Sequence, residues 1–463
     1  MMSKKNSIAS LILPGQQYNF KSDIDLFDET LREGAERASV PPSLEEKCEL
    51  AEAIAAVGVK TLVVGMFPDV PQNIDFLQAL LDRQASGRIP LDVRFMVISH
   101  VGITMRQTFS VLERMERARD SVWIIAIHSV SDMQIEYLFP AILTKDAAVS
   151  FNQNEWEGLS KEGRRERNLA WLNDFMPSMK NPPAKGVMVG LLDAFRADQQ
   201  HIENAIHVAQ KHGITQIRLV DTAGTCLPHQ LATTVGSIVS KFPSISFYGH
   251  FHDDFGMATA NAIVGLSMGL QGVDVAVGGF ANRAGHPPIA EVAMALLELY
   301  GVSLAGFEYQ KLYALSRKAE QIYGLMENPA QAITGVITHA IQSGIRTELV
   351  RKAPNIFDII DSRDIGSDLT KMFGIRSGQD GMLRFLRENE PALRQYGIEP
   401  TSETADLLFA GLYQEWSSRG VNIQEELRGL IGQYQQALRD AFFTEDAMLE
   451  WLIANAKKGA CDE

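Results

Sequence analysis

Only three cysteines occur in the 463 residues, Cys48, Cys226 and Cys461. Their number is odd and their spacing is unpaired, which excludes a disulfide framework and a thiolate metal cluster and fits a reducing compartment. Basic runs are also missing. The formal net charge is −14, and no Lys/Arg cluster is available to neutralise phosphates, so no nucleic acid is expected as a partner. No stretch approaches the roughly 20 apolar residues of a membrane span. The apolar run Ile8 to Leu13, behind Lys4 and Lys5, is shorter than a signal-peptide core and is stopped by Pro14-Gly15. The expectation is therefore a cytoplasmic protein, with no membrane partner, that acts on a small molecule. At 46% hydrophobic and 22% charged residues, the chain can form one large domain and a smaller one.

From residue 23 to about 300, short β-branched runs alternate with longer segments of helical period, as in repeated strand-helix units. Eight strands are expected: Ile24 to Phe27, Thr61 to Val64, Val93 to Ile98, Val122 to Ile127, Val187 to Leu191, Gln216 to Val220, Ile245 to Tyr248 and Val273 to Val277. Eight parallel strands in about 280 residues match the size of a (β/α)8 TIM barrel better than an open sheet. Ser43 with Glu46 three residues on reads as a capping box, and Gly58 as the end of that helix. The segments read as an N-terminal extension (1–22), the barrel (23–305), an accessory subdomain (306–395) and a C-terminal helical region (396–463). In the last, helices are expected over Ser402 to Ser418 and Gln424 to Ala454. The charged run Ser160 to Arg167 reads as solvated surface.

The polar candidates fall at the C-terminal ends of these strands, where barrels build their active face. His250 and His252 sit two apart in a strand, so both imidazoles share one face. With Glu33 they make a two-histidine, one-carboxylate set that leaves positions open on a divalent ion, although a lone His-x-His also suits strand capping. Arg32, His100, His128, Asp193, Arg196, Asp221, Thr222, Asn282, Arg283 and His286 lie on the same face. Asp193, Arg196, Asp253 and Asp254 could equally be helix caps or loop ion pairs. His201, His207, His212 and His229 read as surface residues of helices.

Three segments carry a resemblance: Asp28-Glu29-Thr30-Leu31-Arg32-Glu33-Gly34, Asp221-Thr222-Ala223-Gly224, and His250-Phe251-His252-Asp253-Asp254-Phe255-Gly256. With the loop Gly279 to His286 they resemble the DRE-TIM metallolyases, and Asn355 to Gly366 and Arg376-Ser377-Gly378 resemble the accessory subdomain of their Claisen-condensing branch, the 2-alkylmalate and homocitrate synthases. The resemblance implies one divalent metal ion (Mg, Mn or Zn) on Glu33, His250 and His252, an acyl-CoA cosubstrate and a 2-oxo acid. Arg32 would stabilise the developing alkoxide, and Thr222 would hold the substrate carboxylate. Arg196, Asn282 and His286 are further substrate-binding candidates, and Asp28 and Thr30 would support the ligands. A homodimer is implied, in which residues 310 to 400 complete a neighbour's site.

The pattern is broken where such synthases move protons. Leu192 and Val63 stand in place of glutamates, Arg346 in place of a histidine, Leu369 near the place of a tyrosine, and Glu36 in place of a glutamine; His339 is out of step. His100, His128 and His286 become the candidates for a replacement base. Alternative readings are a metal-dependent C–C lyase or aldolase that works without CoA, and a non-catalytic synthase-like subunit.

Overall fold

The strands close on themselves. In the computed structural model, β1 (Asp25–Asp28), β2 (Thr61–Met66), β3 (Arg94–His100), β4 (Val122–Ser129), β5 (Gly186–Leu192), β6 (Gln216–Asp221), β7 (Ser246–Phe251) and β8 (Gly272–Val275) form a parallel barrel in sequence order. β8 pairs back onto β1, Phe27 opposite Asp274. The structure describes residues 18–37, 41–68, 70–145, 151–339, 359–367, 378–441 and 445–459. All eight expected strands are present. Most run past their apolar stretch, because backbone pairing continues through the polar residues at their C-terminal ends. β8 instead stops at Val275, and Val277–Gly279 is a 3-10 turn.

Alternation along the strands sorts the side chains. Phe27, Val63, Met96, Ile98, Ile125, Ile127, Met188 and Tyr248 point inward and fill the barrel, with Leu192 packed against them. Outside lie the crossover helices. The first, Leu44–Val57, starts on the expected capping box: the Glu46 amide donates to Ser43 Oγ at 3.3 Å, and the Ser43 amide donates to the Glu46 carboxylate at 2.8 Å. Gly58 ends it at φ 106°, where a side chain would strike the backbone of Gly306.

Two compact units emerge, and the boundary differs from the expected one. Residues 1–335 with 364–367 form the first unit, and 336–363 with 368–463 the second. Residues 306–335 belong with the barrel because the helix Leu312–Tyr323 buries Leu312, Leu315, Ala319 and Tyr323, and the Tyr323 hydroxyl donates to the Thr30 carbonyl at 2.7 Å. The charged run Ser160 to Arg167 is not simply solvated. It opens the helix Lys161–Phe175, on which Arg165 grips Asp132 through two bonds (2.6 and 2.8 Å) and Asn168 is fully buried.

In the second unit the helix Gly378–Glu388 packs Met382 and Leu386 on Ala405, with Phe409 and Leu412 beside them. The break expected between Ser418 and Gln424 is absent: one helix runs over Ser402–Asp440, 39 residues long, and a second over Glu445–Gly459, so the helix expected over Gln424 to Ala454 is shared between them. Gly420 and Asn422 do not break the first, since an exposed helical glycine costs only about 1 kcal/mol.

Candidate metal centre and active site

Backbone geometry at the end of β1 sets the site. The Glu29 carbonyl accepts three amides, from Arg32 (3.1 Å), Glu33 (2.8 Å) and Gly34 (3.3 Å), so Thr30–Gly34 winds as a single π-turn. That turn carries Arg32 and Glu33 side by side. Below it, the Thr30 hydroxyl donates to Asp28 (2.8 Å) and accepts the Val277 amide (2.8 Å), tying β1 to the segment after β8. Burial pushes the Asp28 carboxyl up to about 7.

Four buried side chains converge here: Glu33, His250, His252 and His286, with one ligand atom of each within 4.8 Å of the others. The period-of-two argument for β7 holds, with His250 Nε2 3.3 Å from His252 Nε2. His286 arrives from the loop after β8. Its Nδ1–H donates to the Phe251 carbonyl at 2.8 Å, which turns the Nε2 lone pair to within 3.0 Å of Glu33 Oε2. Neither Glu33 Oε2 nor His286 Nε2 has a hydrogen-bond partner. Two buried lone-pair acceptors that close need a cation between them. Burial lowers His252 to about 3 and His250 well below the usual histidine range, so both offer neutral nitrogens. Burial alone would raise the Glu33 carboxyl, but Arg32 beside it holds it well below the ordinary carboxylate value. A neutral-imidazole and carboxylate set of this kind could hold one divalent metal ion.

A second layer, absent from the sequence-based list of site residues, orients the first. Asp274 of β8 accepts the Nδ1–H of His250, leaving Nε2 for the centre. Arg218 of β6, 2% exposed, bridges Asp274 and Glu29. Glu29 also takes Arg32 Nε at 2.7 Å, and Glu33 takes Arg32 Nη2 at 2.5 Å. The second acidic group, Glu29, His250 and Asp274, thus already has its cation in Arg218. A signal was present in the sequence: Arg218 and Asp274 are charges flanked on both sides by apolar residues within their strands, a pattern that fits an interior ion pair.

The remaining candidates are spread around the mouth. Asp193, in the left-handed region at φ 61°, grips Arg196 through two bonds of 2.8 Å and accepts Ser131 Oγ–H at 2.5 Å. Its amide donates to Thr222 Oγ1 at 2.9 Å. Arg283 donates to the Thr222 carbonyl (2.8 Å) and pairs with Asp254 (2.9 Å), and Asn282 donates to Glu36 at 2.6 Å. Arg196 with Lys161, Arg164 and Tyr137 lines a cavity of about 550 Å3.

Two histidines are not brought to the centre. His128 faces outward, since Ile125 and Ile127 are the inward residues of β4; its Nε2 lies 3.0 Å from Asn168 Oδ1 and its ring packs on Phe139. Burial lowers it to about 4. His100 lines a separate cavity of about 90 Å3 with Thr104, Leu138 and Lys145. His201, expected at the surface, is buried and shares Asn168 Oδ1 with His128 at 3.2 Å, because the first turn of its helix packs on Lys161–Phe175. Val63 and Leu192 belong to the apolar barrel filling. Cys48 and Cys226 are buried free thiols that burial pushes up to about 11 and about 12, too high for nucleophiles. Arg346, Leu369, residues 355–358 of the first subdomain motif and Arg376-Ser377 of the second lie outside the described residues.

A parallel eight-stranded barrel with a buried acid-histidine group at the C-terminal ends of β1, β7 and β8 defines the class, and the comparisons agree. Residues 23–318 match the HMGL-like family, to which this chain belongs. It is 26% identical over 427 residues to the 2-isopropylmalate synthase of Aquifex aeolicus, covering 90% of this chain and 74% of that protein. It is 29% identical to homocitrate synthase 1 of a Nostoc species over 89% of this chain and 98% of that protein. Among solved structures, the HMG-CoA lyase of Bacillus subtilis shares the barrel, with a TM-score of 0.50 and 16% identity over 67% of this chain and 96% of that one.

Proposed function

We propose that this chain is a metal-dependent acyltransferase that condenses an acyl-CoA, acetyl-CoA by analogy with its relatives, with a 2-oxo acid to give a 2-hydroxy-2-alkyl dicarboxylate and CoA. The observation that carries the reading is the buried convergence of Glu33, His250, His252 and His286 beside Arg32. Glu33, His250 and His252 would hold the divalent ion (Mg, Mn or Zn), with His286 as a fourth ligand in place of a substrate contact. The bound ion supplies Lewis acidity at the 2-oxo carbonyl.

The chain's own residues do the rest. In the reaction a proton leaves the carbon next to the thioester, that carbon bonds to the 2-oxo carbon, the carbonyl oxygen takes up a proton, and water cleaves the C–S bond. Arg32, fixed by Glu29 and Glu33, presents a guanidinium that stabilises charge on the carbonyl oxygen without reorganising. Glu29 and Glu33 oppose the burial of that guanidinium and hold it protonated. Thr222 and Arg196, joined through Asp193, line the side of the mouth where a substrate carboxylate is held. The chain works as a homodimer in the cytoplasm, a setting that keeps Cys48 and Cys226 as free thiols; among the described residues no helix is long and apolar enough to cross a membrane.

Thiol release from acetyl-CoA by metal-loaded protein, assayed across a panel of 2-oxo acids, tests the reading. A metal-dependent signal that His252→Ala abolishes is expected. Silence across the panel with metal bound sinks it. One observation favours a second reading: Val63 and Leu192 place hydrocarbon where the synthases it resembles carry glutamates. Cleavage of a 2-hydroxy or 4-hydroxy-2-oxo acid without CoA would select a lyase.

A further inference from the structure

The helix Ser402–Asp440 buries only Ala405, yet its apolar residues are not scattered. From Tyr413 they recur at Trp416, Gly420, Ile423, Leu427, Leu430 and Tyr434, with alternating spacings of three and four. That is a coiled-coil seam sustained for three heptads. Tyr413 (48%), Ile423 (48%), Leu427 (51%) and Leu430 (53%) are about half exposed, and Val421 and Ile431 widen the stripe. An apolar stripe of this length marks an interaction surface.

Charge placement selects the occupant. Arg419 and Glu426 flank the seam at the same heptad position, one turn of the repeat apart and opposite in sign. In an antiparallel pair, residues of that position face each other across the two-fold axis, so Arg419 of each copy meets Glu426 of the other. The same register sets Gly420 opposite Ile423, a small residue against a large one, and Leu427 opposite Trp416. A parallel in-register pair would put Arg419 beside Gln424 and Glu426 beside Ile431, with no charge matched. Within its own helix Arg419 has only an exposed contact with Glu415 at 3.4 Å, which is weak competition.

We propose that this stripe is a self-association surface, on which a second copy of the chain docks its own Ser402–Asp440 helix antiparallel, centred between residues 419 and 426. The inference does not rest on the catalytic reading.

Light scattering of the eluting full-length protein at micromolar concentration tests it. Leu427→Glu with Leu430→Glu is expected to halve the particle mass, with the thermal melting of the barrel unchanged. Arg419→Glu alone sets like charges against each other and should weaken association at least fivefold, and adding Glu426→Arg should restore it. An unchanged mass in the apolar double variant, a monomeric parent protein, or a charge swap no better than Arg419→Glu would overturn the proposal. A monomeric parent would also remove the homodimer from the proposed function, but the CoA-release assay decides the catalytic reading by itself, so a failure of the helix seam and a failure of the condensing reaction are distinguishable.

Discussion

His286 Nε2 lies 3.0 Å from Glu33 Oε2 while its other nitrogen donates to the Phe251 carbonyl. On the proposed reading this pair extends the three-residue ligand set to four. His286→Ala should therefore lower divalent-metal affinity by more than the roughly 10–100-fold typical of a supporting residue, read by calorimetric titration of metal-free protein. A loss confined to substrate KM, with metal affinity intact, would return His286 to the substrate.

Asp274 contacts His250 and Arg218, so on the proposed reading it would support a metal ligand rather than bind the ion itself. Asp274→Asn keeps the shape but removes the charge that opposes Arg218 and fixes the imidazole. Metal affinity is expected to fall about 10–100-fold. Because the side chain is fully buried, melting temperature should fall as well; a variant with unchanged affinity would show that His250 is held by the barrel alone.

Val63 is fully buried among Phe27, Met96 and Ile125. Val63→Glu would place a carboxyl in hydrocarbon, costing several kcal/mol if ionised, or raising its pKa until it is neutral. Urea denaturation should show a midpoint much lower at pH 8 than at pH 5. Equal midpoints would mean that the glutamate reaches Arg32 or solvent.

Acid should loosen the outer layer before the barrel. Burial lowers His128 and His201 to about 4, while in the unfolded chain both titrate near 6.5. The unfolded state then binds more protons, so their contribution is complete above about 6.5 and is lost as pH falls toward 4. For fully buried His128 this amounts to about 3 kcal/mol. Melting temperature against pH should drop over that window, and His128→Gln should flatten the drop; an identical slope in the variant would refute the assignment.

Tyr323→Phe removes the hydroxyl that anchors Thr30. Stability should fall by about 1–2 kcal/mol, the cost of leaving a buried carbonyl without that partner. Metal affinity should fall modestly too, since the π-turn that carries Glu33 loses its support.

The barrel and the His250–His252 pair were legible in the sequence because both depend on the period of two, which burial enforces along every strand. What could not be read was which way a strand's last residues turn. His128 follows Ile127 and by alternation must face outward, a point visible once Ile125 and Ile127 are known to be interior. His286 and Glu33 meet through a loop and a π-turn, neither of which has a periodic signature. Arg218 and Asp274 lie in strands that are recognised by their apolar residues, and their charges add nothing to that pattern. The break expected between Ser418 and Gln424 does not occur, because a single glycine costs a long helix little.

The interior arginine has a consequence for which ligands the mouth prefers. Three carboxylates, Glu29, Glu33 and Asp274, face two guanidiniums, Arg32 and Arg218, leaving the resting cluster one negative charge. Adding a divalent ion reverses that sign to one positive, which a single monoanionic carboxylate neutralises. On the proposed reading these five groups would favour a cation first and an acid after it.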